Sequence, residues 1–189
     1  MTALQPAGRT PAPAPLDVLQ DFVNTEIPEW YRDDLASPSE LSAWLVAHDL
    51  LEPTNDVSPE AFLLARALRS GLRALALANT TNRPPAPEER AMRSAELAGL
   101  RFVFEIGADG KPRIAPAGGG AERALATLVS IAVEAVRDGT WSRFKACRKA
   151  SCGWIFYDRS RNRSSNWCSM TICGNRTKTA GYRRRQVTP

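Results

Sequence analysis

Four cysteines constrain this chain more than anything else in it. They fall as C-x4-C-x15-C-x4-C at Cys147, Cys152, Cys168 and Cys173, and the 146 residues before them contain no other. Two thiol pairs joined by a spacer of this length can close round one tetrahedral ion, each pair bending about it while the intervening chain returns as a hairpin. Zn²⁺ is the natural partner of an S4 set. Two disulfides are the alternative, but they need an oxidising compartment and the N-terminus MTALQPAGRTPAPAPL lacks the basic-then-apolar order of a secretory signal. Iron in an S4 site is the third option. A metal also explains how so few residues fold: Trp154, Ile155, Phe156, Trp167, Met170, Ile172 and Tyr182 are the groups expected to form its core, too few without a staple. A structural Zn²⁺ supplies about 10 kcal/mol or more of coupled folding energy.

Local order within the stretch predicts a knuckle, a hairpin and a helix start. Gly153 to Tyr157 reads as a strand, Asp158 to Asn166 as the hairpin tip and Trp167-Cys168 as the return; Ser169 then caps a helix from Met170 to about Arg185, with Cys173 in its first turn. This is a treble-clef-like arrangement.

The preceding residues read as mainly helical. Leu16, Leu19, Phe22 and Val23 recur at helical spacing, and Ser37-Pro-Ser-Glu40 is a capping box opening a helix through Leu41, Trp44 and Leu45. Ser58-Pro-Glu60 opens a longer helix to about Ala78, expected to bury Leu64, Leu68, Leu72 and Leu75. A helix over about Glu88 to Ala98 should end on Gly99 as a left-handed cap. Leu100 to Ile106 alternates, and Ala108-Asp-Gly110 turns it back through Lys111 to Ala115 as a hairpin. A last helix, about Ala121 to Asp138, carries Leu125, Leu128, Val129, Ala132 and Val136 and stops at Gly139. The fold class expected is therefore α+β and mainly helical: a Pro/Ala-rich mobile tail (1–15), a helical body with one small β-hairpin (16–140) and a zinc finger (141–189), the two folded parts having separate cores.

Charge divides the chain at the same boundary. Residues 1–140 carry 13 Lys/Arg against 19 Asp/Glu, or −6, whereas residues 141–189 carry 12 Lys/Arg against Asp158 alone, or +11. A basic end on an acidic body is the electrostatic footprint of a nucleic-acid contact. Sorted by position, Arg159, Arg161 and Arg163 at the hairpin tip and Lys178, Tyr182 and Arg185 on an open helix face are the candidate phosphate contacts. Arg176 follows Cys173 by three residues and so turns toward the metal, where with Asn175 it supports the thiolates. Trp154 and Trp167 are read as core rather than as base-stacking surfaces.

No constellation for catalysis is present: His48 is the only histidine and packs beside Leu41, Trp44 and Leu45, Asp33 and Asp34 read as a solvated loop, and Gly118 to Gly120 as a linker. The chain is expected not to be an enzyme. No run of apolar residues is long enough to cross a bilayer, which places the expected location in the cytoplasm.

Several motifs carry a resemblance. Cys168-Ser-Met170 followed by Cys173-Gly-Asn-Arg176, preceded by Phe156, Asp158, Ser160 and Asn162, resembles the CGNR zinc finger, and DFVNT at Asp21 to Thr25 is similar to the opening motif of the ABATE domain that precedes it. Together they span nearly the whole chain after Leu16. The resemblance implies a bacterial stress-related transcription regulator with the four cysteines as ligands of one structural zinc. Ser165-Asn166 departs from it, since relatives are expected to carry a basic residue there. The functional expectation is a DNA-binding regulator whose body senses a small-molecule effector or forms a homodimer; a protein-interaction adaptor, clamping an acidic partner or the chain's own body, and an RNA-binding protein are the alternatives.

Overall fold

A computed structural model describes residues 5–177 and 179. The helical body begins with α1 (Leu16–Asn24) and a two-rung ladder of β1 (Glu26–Ile27) with β2 (Arg32–Asp33). It continues through α2 (Pro38–Ala47), α3 (Pro59–Thr81) and α4 (Pro87–Glu96), the hairpin β3 (Phe102–Ile106) and β4 (Pro112–Pro116), and α5 (Gly120–Arg137). A second hairpin, β5 (Phe144–Ala146) and β6 (Ile155–Tyr157), opens the cysteine module. The α+β, mainly helical class expected from the sequence is the one observed. No helix among the described residues is long and apolar enough to cross a membrane.

The helix starts follow their caps. Ser37 Oγ accepts from Glu40 N–H at 3.3 Å and Ser58 Oγ from Ala61 N–H at 3.1 Å, each with proline at the first helical position. Gly139 ends α5 with φ +78°, a conformation that favours glycine. Gly99 does not act this way. It keeps a negative φ, and the chain leaves α4 by way of Leu97 instead.

Which face of each helix is buried was less legible. On α3 the inward stripe is Ala61, Ala65, Leu68, Leu72, Ala76 and Thr80, so Leu75, expected inside, is exposed and Leu64 is half-buried. The stripe rotates because α3 packs on three sides, against α1, α5 and β5, and small residues allow those approaches. Val136 on α5 likewise faces solvent. β3 and β4 form the expected hairpin, with Phe104 opposite Ile114, but their shared apolar face is exposed.

Two expectations are corrected. Residues 5–15 are not a free tail: Ala12 is buried, its N–H donates to Gln20 Oε1 at 2.7 Å, and Gln20 Nε2 donates to Gln5 Oε1 at 2.6 Å. Gln5 and Arg9 break the Pro/Ala pattern and provide the anchors, Arg9 lying 4.4 Å over the Phe156 ring. The body and the cysteine module also do not have separate cores. Phe144, Ala146, Ile155 and Tyr157 sit in the same buried cluster as Leu19, Phe22 and Leu68.

Polar clamps reinforce that shared core. Asn24 on α1 exchanges two hydrogen bonds with the backbone of Ile155, Oδ1 accepting from its N–H at 2.8 Å and Nδ2 donating to its carbonyl at 2.9 Å. The amide thus pairs with β6 as a neighbouring strand would. From α3, Asn79 Nδ2 donates to the Phe144 carbonyl at 2.9 Å, Thr80 Oγ1 to that of Ala146 at 2.7 Å, and Arg73 Nε to that of Gly153 at 3.2 Å. Asp33, expected in a solvated loop, instead receives a bidentate pair from buried Arg69 at 2.6 and 2.7 Å, which fixes the β1–β2 turn over α3.

Candidate metal centre

The first cysteine pair is built on the second hairpin. β5 pairs with β6 through Lys145 opposite Phe156, and Cys147 N–H extends the ladder to the Trp154 carbonyl at 2.8 Å. Sequence reasoning found β6 but assigned its return to Trp167; the true partner is the upstream β5, too short to show a period. The turn closes with Cys152 N–H on the Lys149 carbonyl at 2.9 Å, followed by Gly153 at φ +60°. That positive φ lets the chain reverse immediately after the ligand.

The second pair forms a helical turn, as its cap predicts. Ser169 Oγ accepts from Ile172 N–H at 3.2 Å and starts a wide turn over Met170–Gly174, which places Cys173 beneath Cys168. Gly174 lets the turn pack closely, since a Cβ there would lie 3.1 Å from Trp167 and displace the Met170 side chain. The chain continues helically through Asn175 to Thr177.

All four Sγ atoms are buried and lie within 4.8 Å of one another. Cys152 to Cys168 is 3.8 Å and Cys168 to Cys173 is 3.6 Å. A tetrahedral ion with metal–sulfur bonds of about 2.3 Å has sulfur–sulfur edges of about 3.8 Å, whereas a disulfide needs about 2.05 Å. The cysteines are free and spaced for a metal ion.

Their electrostatics agree. Hydrogen bonds from Cys152 and Cys168 hold the Cys147 thiol down to about 2, aided by the backbone N–H groups of Cys168 and Lys149. Cys152 is pushed up to about 12, chiefly because its proton is shared with Cys147. Cys168 is pushed well above the thiol range by its bonds to Cys147 and Cys152, and burial raises Cys173. One sulfur thus carries charge while the other three have theirs held back, a situation that a divalent cation resolves by taking the place of the shared protons.

Residues 16–139 match the ABATE family model, described as "putative stress-induced transcription regulator". The chain belongs to the ABATE family. Residues 143–186 match the CGNR zinc finger. No curated protein matches this chain. The DFVNT motif of the ABATE body now has a structural account: Phe22 and Val23 fill the core, Asn24 holds β6 of the CGNR finger, and Thr25 receives Arg69 at 3.1 Å.

Asp158 of the CGNR motif has a different role from any phosphate contact. It is fully buried, accepting from Lys145 Nζ at 2.9 Å and from the backbone N–H groups of Ser160 and Ser165, both at 2.9 Å. Burial pushes its carboxyl up, but the bonds from Lys145 and Ser160 outweigh that and hold it well below the usual carboxylate range. The pair braces the 158–166 loop from inside. Lys145 was missed in the sequence, although a lone acid among 12 cations is the signal that marks such a pair.

The candidate nucleic-acid contacts separate. Arg161 is exposed and makes no side-chain bond among the described residues. Arg159 donates to the Pro11 carbonyl at 2.8 Å and lies 5.4 Å from the Tyr157 ring, and Arg163 donates to Ser142 Oγ at 2.9 Å, so both are engaged within the chain. Lys178, Tyr182 and Arg185 lie outside the described residues. Asn175 and Arg176, expected to support the thiolates, are exposed, and among the described residues neither hydrogen-bonds a cysteine. Trp154 and Trp167 pack on the cysteine cluster.

Proposed function

We propose that this protein is a cytoplasmic, zinc-dependent, DNA-binding transcription regulator, with one Zn²⁺ held by Cys147, Cys152, Cys168 and Cys173 and the helical body acting as the sensing part. One observation supports the reading: among the described residues, most of the finger's cations are not neutralised by an acid. Its single acid, Asp158, is neutralised internally by Lys145. Of the remaining described cations only Lys149 pairs with an acid of the body, Glu29. Arg148, Arg161 and Arg176 face solvent without an ion pair among the described residues, and four more cations follow in the sequence, Lys178 and Arg183 to Arg185. A surface of this kind suits phosphates, and the near-absence of pairing with the acidic body disfavours the finger as a clamp on its own chain. In this reading the chain catalyses no reaction, because four thiolates fill the coordination of a structural zinc and leave no open position for water.

The test is selection from random duplex DNA with intact, zinc-loaded protein. A recovered motif is expected, with affinity that falls as salt rises. The double variant Arg161→Ala/Arg176→Ala should lower the salt slope by about 1.8, since each phosphate contact contributes about 0.9. No enriched motif, together with an unchanged slope, would move the reading to a protein partner.

A further inference from the structure

The β3–β4 hairpin turns its apolar side outward. In its register Phe102 lies opposite Pro116, Phe104 opposite Ile114 and Ile106 opposite Pro112, so one face carries three successive rungs without a polar side chain. Phe104, Ile106 and Ile114 are 69, 73 and 63% exposed. The rungs between them hold Val103 with Ala115 and Glu105 with Arg113, whose side chains bond at 2.5 Å; Glu105 and Ala115 are half-buried. An antiparallel pair laid on a body normally sends its apolar side chains inward and its polar ones to water. Here the Glu105–Arg113 pair lies on the more sheltered face and the large apolar groups on the open one.

Size and shape say what covers that face. At these exposures its six side chains offer about 500 Å² of apolar surface, so two copies meeting face to face bury about 1,000 Å², the size at which a specific protein contact becomes stable. Joining edge to edge is hindered, because Pro112 and Pro116 leave β4 without two N–H groups. The face also fits itself. A two-fold axis parallel to the strands, midway between facing hairpins, lays the Phe102, Phe104 and Ile106 column of each copy over the Pro116, Ile114 and Pro112 column of the other, so the bulkier column meets the slimmer one twice. No side chain on the face can donate to or accept from a phosphate or a base, which disfavours nucleic acid as its partner.

We propose that two copies of this chain pair through their β3–β4 hairpins, stacked about a two-fold axis with Phe104 of one copy against Ile114 of the other. The hairpin contacts α5, α5 packs on α1, and Asn24 of α1 holds β6, so the pair carries two fingers in fixed relation. Their use in reading two DNA half-sites rests on the regulator reading above; the pairing itself does not.

The experiment follows full-length, zinc-loaded protein by sedimentation velocity from about 1 to 200 μM, where a reversible species of twice the chain mass is expected. Phe104→Lys and Ile114→Asp should each raise the dissociation constant at least about thirtyfold, as loss of a central contact does. Circular dichroism should stay unchanged, because both side chains are exposed. An equimolar mixture of the two variants should pair within about tenfold of the parent, since a mixed dimer sets the introduced lysine beside the introduced aspartate and keeps one native Phe104–Ile114 contact. If a charged variant does not fold, Phe104→Ser and Ile114→Ser test the same face. A monomer at every concentration, a dimer indifferent to these substitutions, or a mixture that pairs no better than its components overturns the proposal. So does flotation of monomeric protein with phosphatidylglycerol vesicles that Ile114→Asp abolishes, which would assign the face to a membrane. Selection from random duplex DNA separates the two readings: a dimer that enriches no motif upholds the surface and overturns its use on DNA, whereas a motif enriched by a monomer overturns the pairing alone.

Discussion

Asn24→Ala tests whether the body holds the finger. Asn24 is 4% exposed and satisfies both backbone groups of Ile155, itself fully buried. Removing the amide strands the Ile155 N–H in the core, a loss of about 1–3 kcal/mol, while the carbonyl keeps a longer bond from Gln20 Nε2 at 3.2 Å. Adding about 1 kcal/mol for the second bond gives a total near 3 kcal/mol. For a chain of this size that corresponds to a fall in melting temperature of about 6–12 °C. Asn24→Asp separates hydrogen bonding from volume: it keeps the shape and one acceptor but sets a carboxylate oxygen against the Ile155 carbonyl, and it should destabilise at least as much. The assay is thermal circular dichroism of zinc-loaded protein, with release of zinc to a chromogenic chelator as a second readout, expected to quicken in both variants. A shift below about 2 °C for Asn24→Ala, or an Asn24→Asp protein that melts like the parent, would refute the clamp.

Removing the metal should disturb more than the finger. Because Phe144 and Ile155 lie in the core shared with α1 and α3, a chelator is expected to reduce the helical signal of the whole chain, and native mass spectrometry to find one zinc per chain beforehand. A helical signal that survives complete chelation would contradict the shared core. The Lys145–Asp158 pair sets a dependence on acid. Asp158 is held below its unfolded value of about 3.9, so the folded state binds fewer protons; the stabilisation is complete above about pH 4 and is lost as pH falls further, through the folded pKa. Asp158→Asn leaves Lys145 buried without a counter-charge and should cost about 3–5 kcal/mol at pH 7. The gap in melting temperature between parent and variant should narrow below about pH 4, and a gap that is absent at pH 7 or constant with pH would remove the pair from the stability of the loop.

Much of this protein is written in short-range pattern. The two equal cysteine spacings specify a four-thiolate site, Ser37, Ser58 and Ser169 start their helices, and Gly139 ends one. In each case the residue acts on backbone within about four positions of itself, so its chemistry can be read from its neighbours alone. The placement of one part on another had no such signature. Asn24 and Ile155 are 131 residues apart, and Arg73 and Gly153 are 80 apart. Gln5 looked like part of a featureless tail until Gln20 and Trp154 were brought against it. Lys145 showed no pattern of its own until Asp158 was buried against it. A polar side chain that satisfies a distant backbone group leaves no periodicity in the sequence. Its partner is chosen only when burial makes an unpaired N–H or carbonyl costly, and that condition exists only in the folded chain.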